Sequence, residues 1–289
     1  MELTFDLSGK LAVVTGGGGV LCSGFSKTLA AAGASVAVCD LRLDAAQAVA
    51  ADIRAAGGQA EAFEMNVLDK ASVDAAKAKI YETFSRDAVD LLLNGAGGNN
   101  PKGSTSRDTL TPEEVAELDE KGTIEGIKTF FDLDPDGISF VFNLNFLGTL
   151  IPTQSFARDM SKKGGTIINV SSMNAFRPLT RIPAYSGAKA AVSNFTQWLA
   201  VHFAPVGIRC NAIAPGFFLT NQNRNLLLNP DGSLTARSDK ILGHTPMKRF
   251  GVPADLDGTL LWLADERFSG FVDGVVIPVD GGFAAYSGV

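Results

Sequence analysis

Apolar residues in the first hundred positions fall into short unbroken runs, separated by longer stretches with helical periodicity. Lys10-Leu11-Ala12-Val13-Val14, Ser35-Val36-Ala37-Val38-Cys39 and Val89-Asp90-Leu91-Leu92-Leu93 lack the polar alternation of a half-exposed strand. Such runs suit parallel strands covered on both faces. A further strand is predicted from Glu61 to Met65. Helices are expected up to Ala32, stopped by Gly33, then from an Asp44/Gln47 capping box to Gly57-Gly58, and over about Lys70 to Phe84. The alternation implies right-handed βαβ units in one parallel sheet.

The rhythm breaks after the fourth strand. Residues 99–134 read as a helical insert, with Thr111-Pro112-Glu113-Glu114 as a clear helix start. Too few apolar residues occur there for a separate core. A long helix should open at Asp134-Pro135 and reach about Lys163, bent at Pro152 unless it is two pieces. A strand at Gly165 to Val170 and a helix from Pro183 to Phe203 follow. Then come a strand from Gly207 to Ile213, a polar irregular region from Asn221 to Ser238, a helix from Asp255 to Ala264 and a last strand from Gly274 to Val279. Without repeats or low-complexity linkers, residues 1–289 read as one α/β domain, with 99–134 as insert and 221–250 as a substrate loop region.

Composition narrows the partners. An apolar fraction of 46% supports a sizeable core, and a net charge of -6 with no long basic run argues against nucleic acid and anionic membrane. No apolar run approaches the ~18 residues of a membrane span. No basic-then-apolar leader is visible, and Cys22, Cys39 and Cys210 form no CxxC pair, so buried reduced thiols and a cytoplasmic location are expected. No His/Cys/Asp cluster has metal-ligand spacing, so no metal is expected.

The chemistry centres on the stretch from Ser171 to Lys189. Tyr185 and Lys189 are four apart and share one helical face, with Ser172 at the end of the preceding strand. A neighbouring ammonium favours a phenolate, and a hydroxyl can orient a substrate oxygen, so the three form a proton-transfer device. Gly16 to Gly19, between the first strand and its helix, can bring backbone N–H groups and a helix dipole to a phosphate. The second strand ends in Asp40, twenty-four residues after Gly16, where it would accept hydrogen bonds from ribose hydroxyls and repel a 2′-phosphate. That favours NAD over NADP, although Arg42 follows closely.

These stretches resemble the short-chain dehydrogenase/reductase family. The match rests on Thr15-Gly16, Asn94-Gly95-Ala96-Gly97, Asn145, Ser172 with Tyr185 and Lys189, and Asn211 to Thr220 with Pro215-Gly216. The resemblance implies a Rossmann-type doubly wound sheet, usually seven-stranded, and commonly a homotetramer built through two long helices. It implies Tyr185 as acid/base, Ser172 as partner of the substrate oxygen, Lys189 on the nicotinamide ribose and Asn145 anchoring a relay water. Gly16, Gly18, Gly19, Leu21, Asp40, Asn66, Val67, Asn94 and Ala96 would hold the rest of NAD or NADH. Gly216, Phe218 and Thr220 would surround the nicotinamide amide. Two positions depart from the pattern. Val20 and Cys22 replace the last two glycines of the phosphate loop, and Asn66-Val67 stands where the family has Asp-Val.

Within the family, Gly97 to Lys102, Ser171 to Phe176, Asn194 to Phe203, Pro215 to Asn223 and Asp280 to Val289 resemble bacterial enzymes that interconvert D-mannonate and D-fructuronate. A sugar acid wants a cation near the pocket, and Lys102, Arg177 and Arg181 follow or flank the relevant strand ends. Lys102, Asn174 and Arg181 are the substrate candidates. Other readings are a gluconate 5-dehydrogenase-like enzyme, a 3-oxoacyl carrier-protein reductase and a non-catalytic nucleotide sensor.

Overall fold

The computed structural model describes residues 4–219 and 224–288. The early apolar runs become β1 (Leu11–Thr15), β2 (Ser35–Asp40), β3 (Gln59–Glu64) and β4 (Leu91–Asn94). They alternate with α1 (Val20–Ala31), α2 (Leu43–Ala55) and α3 (Lys70–Phe84). After the insert, which carries α4 (Pro112–Lys121), come α5 (Pro135–Phe142) and α6 (Gly148–Met160). The chain continues through β5 (Gly165–Val170), α7 (Pro183–Phe203), β6 (Ile208–Pro215), α8 (Arg224–Leu227), α9 (Ala236–Gly243), α10 (Asp257–Ala264), α11 (Glu266–Ser269) and β7 (Val276–Val279).

All seven strands pair in parallel, in the order β3-β2-β1-β4-β5-β6-β7. The order reverses between β1 and β4, and in such sheets the crevice at the carboxyl ends of those strands takes the ligand. Alternate strand residues feed two cores. Ala12, Val14, Val36 and Val38 pack with α1, α2 and α10, while Leu11, Val13, Ala37 and Cys39 pack with α3, α6 and α7. Burial on both faces explains the missing polar alternation.

Several local expectations need correction. The Asp44/Gln47 capping box does not form: α2 starts at Leu43, its cap is Arg42, and no side chain caps it. Instead the Asp40 carboxylate accepts from Arg42 N at 3.0 Å, and the helix begins two residues early. The long helix is interrupted at Asn143–Leu147 by a π-helical turn, and Pro152 lies inside the regular α6. The region after β6 is less irregular than its polarity suggests, because α8 and α9 form within it. In the insert, α4 has the expected Thr111/Glu114 capping box and buries none of its residues.

Candidate active site

Four side chains named from the sequence converge beyond β4 and β5. Ser172 follows β5 and caps a short 3₁₀ turn, its Oγ accepting from Asn174 N at 3.3 Å. Tyr185 and Lys189 occupy successive turns of α7, whose first turn Pro183 opens. Lys189 is buried, and its Nζ donates to Val170 O at 2.7 Å. That ammonium lies 5.7 Å from the centroid of the Tyr185 ring. Asn145 is fully buried in the π-helical turn. Its Nδ2 donates to Gly98 O at 2.7 Å and Val141 O at 2.8 Å, and its Oδ1 accepts from Gly98 N at 3.3 Å. A Cβ at Gly97 would meet Asn145 Oδ1 at 2.7 Å and Lys189 Nζ at 3.2 Å, so the loop after β4 passes directly over both.

The electrostatics differ from the sequence expectation at Tyr185. Burial pushes its phenol above the usual value, and the Ser172 hydroxyl beside it works the other way without prevailing. Lys189 pays for its own burial, its ammonium drawn down to about 8. In this arrangement the phenol keeps its proton at neutral pH, ready to donate it.

The β1–α1 turn fits a dinucleotide phosphate. Gly16 has a φ of +65°, and a Cβ there would meet Ala96 Cα at 2.8 Å. A Cβ at Gly18 would meet Ala45 Cβ at 2.6 Å and Asp40 Oδ2 at 3.0 Å. Gly19 caps α1 without a side-chain bond and no acidic residue follows in the first turn, leaving the N–H groups and helix dipole for an anion. Asp40 Oδ2 accepts from Gly18 N at 3.0 Å, so the carboxylate is anchored beside the loop with lone pairs to spare for ribose hydroxyls.

The departures at Val20 and Cys22 have a structural reading. Both residues are helical, so neither needs a glycine's backbone freedom. Cys22 is buried, and burial raises its thiol to about 12. A Cβ at Gly95 would overlap Cys22 Sγ. The sulfur therefore fills the space that a side chain at position 95 would occupy, and the bulk has moved from one loop to the other.

Other named residues land less directly. Asn66 Oδ1 is engaged by Leu68 N at 3.0 Å, while no bond to its Nδ2 occurs among the described residues. Val67 is buried against the position of Gly148 Cα, and Leu21 packs at the edge of the core. Asn94 spends its Nδ2 inside the sheet, on Thr153 Oγ1 and Asn169 Oδ1, each at 2.9 Å. Phe218 is buried in the core against Gly251 and lines a cavity with Asp280 and Gly282. Gly216 packs on Asp280, and Thr220 lies outside the described residues.

The substrate cations are already engaged. Lys102 Nζ pairs with Asp134 at 3.3 Å and is exposed. Arg181 Nε donates to Asp108 Oδ1 at 2.7 Å. Asn174 is buried, and its Oδ1 has no partner among the described residues. Thr15 was named from the sequence only as part of the glycine motif, and Asp108 was not named at all. Thr15 Oγ1 accepts from Gly95 N at 3.1 Å and Ala96 N at 3.4 Å, tying β1 to the β4 loop; a hydroxyl just before the glycine run was the available signal. Asp108 binds Arg181, Lys240 and Thr180, partners distant in sequence that no local pattern reveals.

The family model for short chain dehydrogenases matches residues 10–230. An uncharacterized oxidoreductase of Haemophilus influenzae is 55% identical over 285 residues, covering 98% of this chain and 96% of that one. A 2-dehydro-3-deoxy-D-gluconate 5-dehydrogenase of Dickeya dadantii is 31% identical, covering 98% of each. Among solved structures, a "putative D-mannonate oxidoreductase" of Haemophilus influenzae with bound NAD superposes with a TM-score of 0.91 at 54% identity, covering 98% of both chains. A gluconate 5-dehydrogenase of Burkholderia cenocepacia in complex with NADP and tartrate gives 0.78 at 28% identity, covering 97% of both. The matched family model, the sheet order and the coverage of these relatives agree: the chain belongs to the short-chain dehydrogenase family of oxidoreductases.

Proposed function

We propose that the protein is an NAD-dependent dehydrogenase of a sugar acid, interconverting a secondary alcohol and its ketone, with D-mannonate and D-fructuronate as the pair. The observation that carries this reading is a cavity of about 410 Å³ whose walls include Arg177, Arg181, Arg237, Lys240 and Asp108, from the segment between the Ser172 turn and α7, from α9 and from the insert. Asp108 in the same wall engages Arg181 and Lys240, and the four cations still leave the lining net positive, which suits an anionic ligand. The similarity to the Haemophilus structure supports the particular substrate pair and the dinucleotide.

When bound, the reduced dinucleotide supplies a hydride to the substrate carbonyl carbon. Tyr185 donates the proton to the carbonyl oxygen, which Ser172 holds by a hydrogen bond. In the reverse direction the same phenol oxygen recovers that proton. Lys189 holds the nicotinamide ribose and supplies positive charge beneath the tyrosine, and Asn145 fixes the loop after β4 and anchors a relay water. Gly16, Gly18, Gly19 and Leu21 take the phosphates, Asp40 the adenosine ribose, and Asn66 and Val67 the adenine. Asn94, Ala96 and Gly216 line the remainder through their backbones. Asn174, buried with an unspent Oδ1, offers an acceptor to a substrate hydroxyl.

Residues 99–134 and 224–250 serve as a lid over this cleft; the expected lid residues 221–223 lie outside the described residues. Exposed Phe140, Phe142, Leu147, Trp198 and Val201 along α5, α7 and the turn between α5 and α6 support association between copies of the chain; a homotetramer and a cytoplasmic location complete this reading. A second reading, a gluconate 5-dehydrogenase, is favoured by the named relatives at 31% and 28% identity. NADH and NADPH oxidation against a panel of keto sugar acids separates the two. The first reading expects D-fructuronate with NADH to give the highest kcat/KM, and a preference for 5-ketogluconate or for NADPH would overturn it.

A further inference from the structure

The cavity beside α7 holds four cationic side chains against one carboxylate, Asp108. Asp108 is claimed twice, by Arg181 Nε at 2.7 Å and by Lys240 Nζ, and a third time by Thr180 Oγ1 at 3.0 Å. Arg177 spends its Nε on Ala284 O at 3.1 Å. Arg237 makes no hydrogen bond or ion pair among the described residues. Its side chain is exposed, and the helix that carries it is held in place. Arg237, Lys240, Ile241 and His244 line the cavity from one face of α9, at the three-, four- and seven-residue spacing of a helical stripe. Ile241 buries that face, and the Asp108–Lys240 pair holds it one turn from Arg237.

We propose that Arg237 binds the carboxylate of the sugar acid, and that Asp108 withholds Arg181 and Lys240 from that role. The proposal rests on the sugar-acid reading and names its specificity residue. A guanidinium presents two parallel N–H donors to a carboxylate, which a lysine cannot. Phe217 and Phe283 form apolar parts of the same wall.

The test compares wild type, Arg237→Gln and Arg237→Lys in steady-state reduction of D-fructuronate and of a neutral ketohexose, with tartrate as a competitive inhibitor. NADH binding by fluorescence and the thermal midpoint check that each variant is folded. Arg237→Gln should raise KM for the sugar acid, and the inhibition constant for tartrate, by about ten-fold or more, outweighing any change in kcat. Efficiency with the neutral ketose should change far less, and Arg237→Lys should recover part of the loss. A wild type active on sugar acids together with an unaltered Arg237→Gln overturns the proposal and leaves the sugar-acid reading standing. A wild type that reduces only uncharged ketones removes both.

Discussion

Cys22 and Gly95 illustrate how a broken motif can keep its geometry. The phosphate loop lacks two of the family's glycines, yet the helix start shows no strain, because positions 20 and 22 are helical. The steric demand of the Cys22 sulfur falls on Gly95, which faces it. Gly95→Ala should therefore lower the thermal midpoint, by an overpacking cost of about 1–3 kcal/mol. In Cys22→Ala the same alanine should cost less, the backbone contact with Thr15 O at 2.9 Å remaining, a coupling that a double-mutant cycle by thermal unfolding reads directly. Additive losses would mean the two residues do not share that space. Lys189 gives a second residue-scale test. Its folded value of about 8 is below the ordinary lysine value of 10.5, so the unfolded chain binds more protons between those limits. Stability from this group therefore rises as pH climbs through that window, and at neutral pH the buried ammonium costs on the order of 3 kcal/mol. Lys189→Met should flatten that pH dependence, hold or raise the thermal midpoint at pH 7, and abolish turnover. A Lys189→Met protein with the wild-type pH slope of stability would contradict this. At this scale the sequence was informative where spacing is local, as for Tyr185 and Lys189. It was silent on the balance of forces: the phenol rises because burial outweighs its neighbours, and burial is a tertiary fact.

The helices were legible where their caps are local. α3 runs over the predicted Lys70–Phe84 because Asp69 caps it, accepting from Ala71 N at 2.9 Å. The π-helical turn between α5 and α6 was not legible, because the Asn145 side chain, bridging to the loop after β4, accompanies it. A polar ladder joins α6 to α7 through the sheet: Thr153 to Asn94, Asn94 to Asn169 and Asn169 to Thr196, each at 2.9 Å. Neither feature has a signature in periodicity. The latch at Asp108 binds the insert to the turn before α7 and to α9. Its ion pairs are partly exposed, so each contributes little to global stability, about 0–1 kcal/mol. Asp108→Asn should thus leave the thermal midpoint within a degree or two while speeding limited proteolysis within 99–134 and 224–250. Unchanged cleavage in those segments would show that Asp108 does not hold the lid.

On the scale of the molecule, the chain's function follows from the sheet order. Reversal between β1 and β4 opens a crevice with the glycine loop and Asp40 on one side and the Ser172, Tyr185 and Lys189 cluster on the other. The parallel sheet was readable because its apolar strands are covered on both faces, and chain order alone placed the acid after β2. The substrate side was not, since its cations come from segments that meet only in the fold, and two of the candidates are paired with carboxylates. The central claim is that this cluster transfers a proton to a keto sugar acid as NADH is oxidised. Initial rates of NADH oxidation with D-fructuronate, for wild type and Tyr185→Phe under the same conditions, test it most directly. The account predicts saturable turnover by wild type and a loss of about 10²-fold or more in kcat for Tyr185→Phe, with NADH binding largely retained. No keto-acid-dependent oxidation by wild type, or a Tyr185→Phe variant that keeps most of the rate, would contradict it.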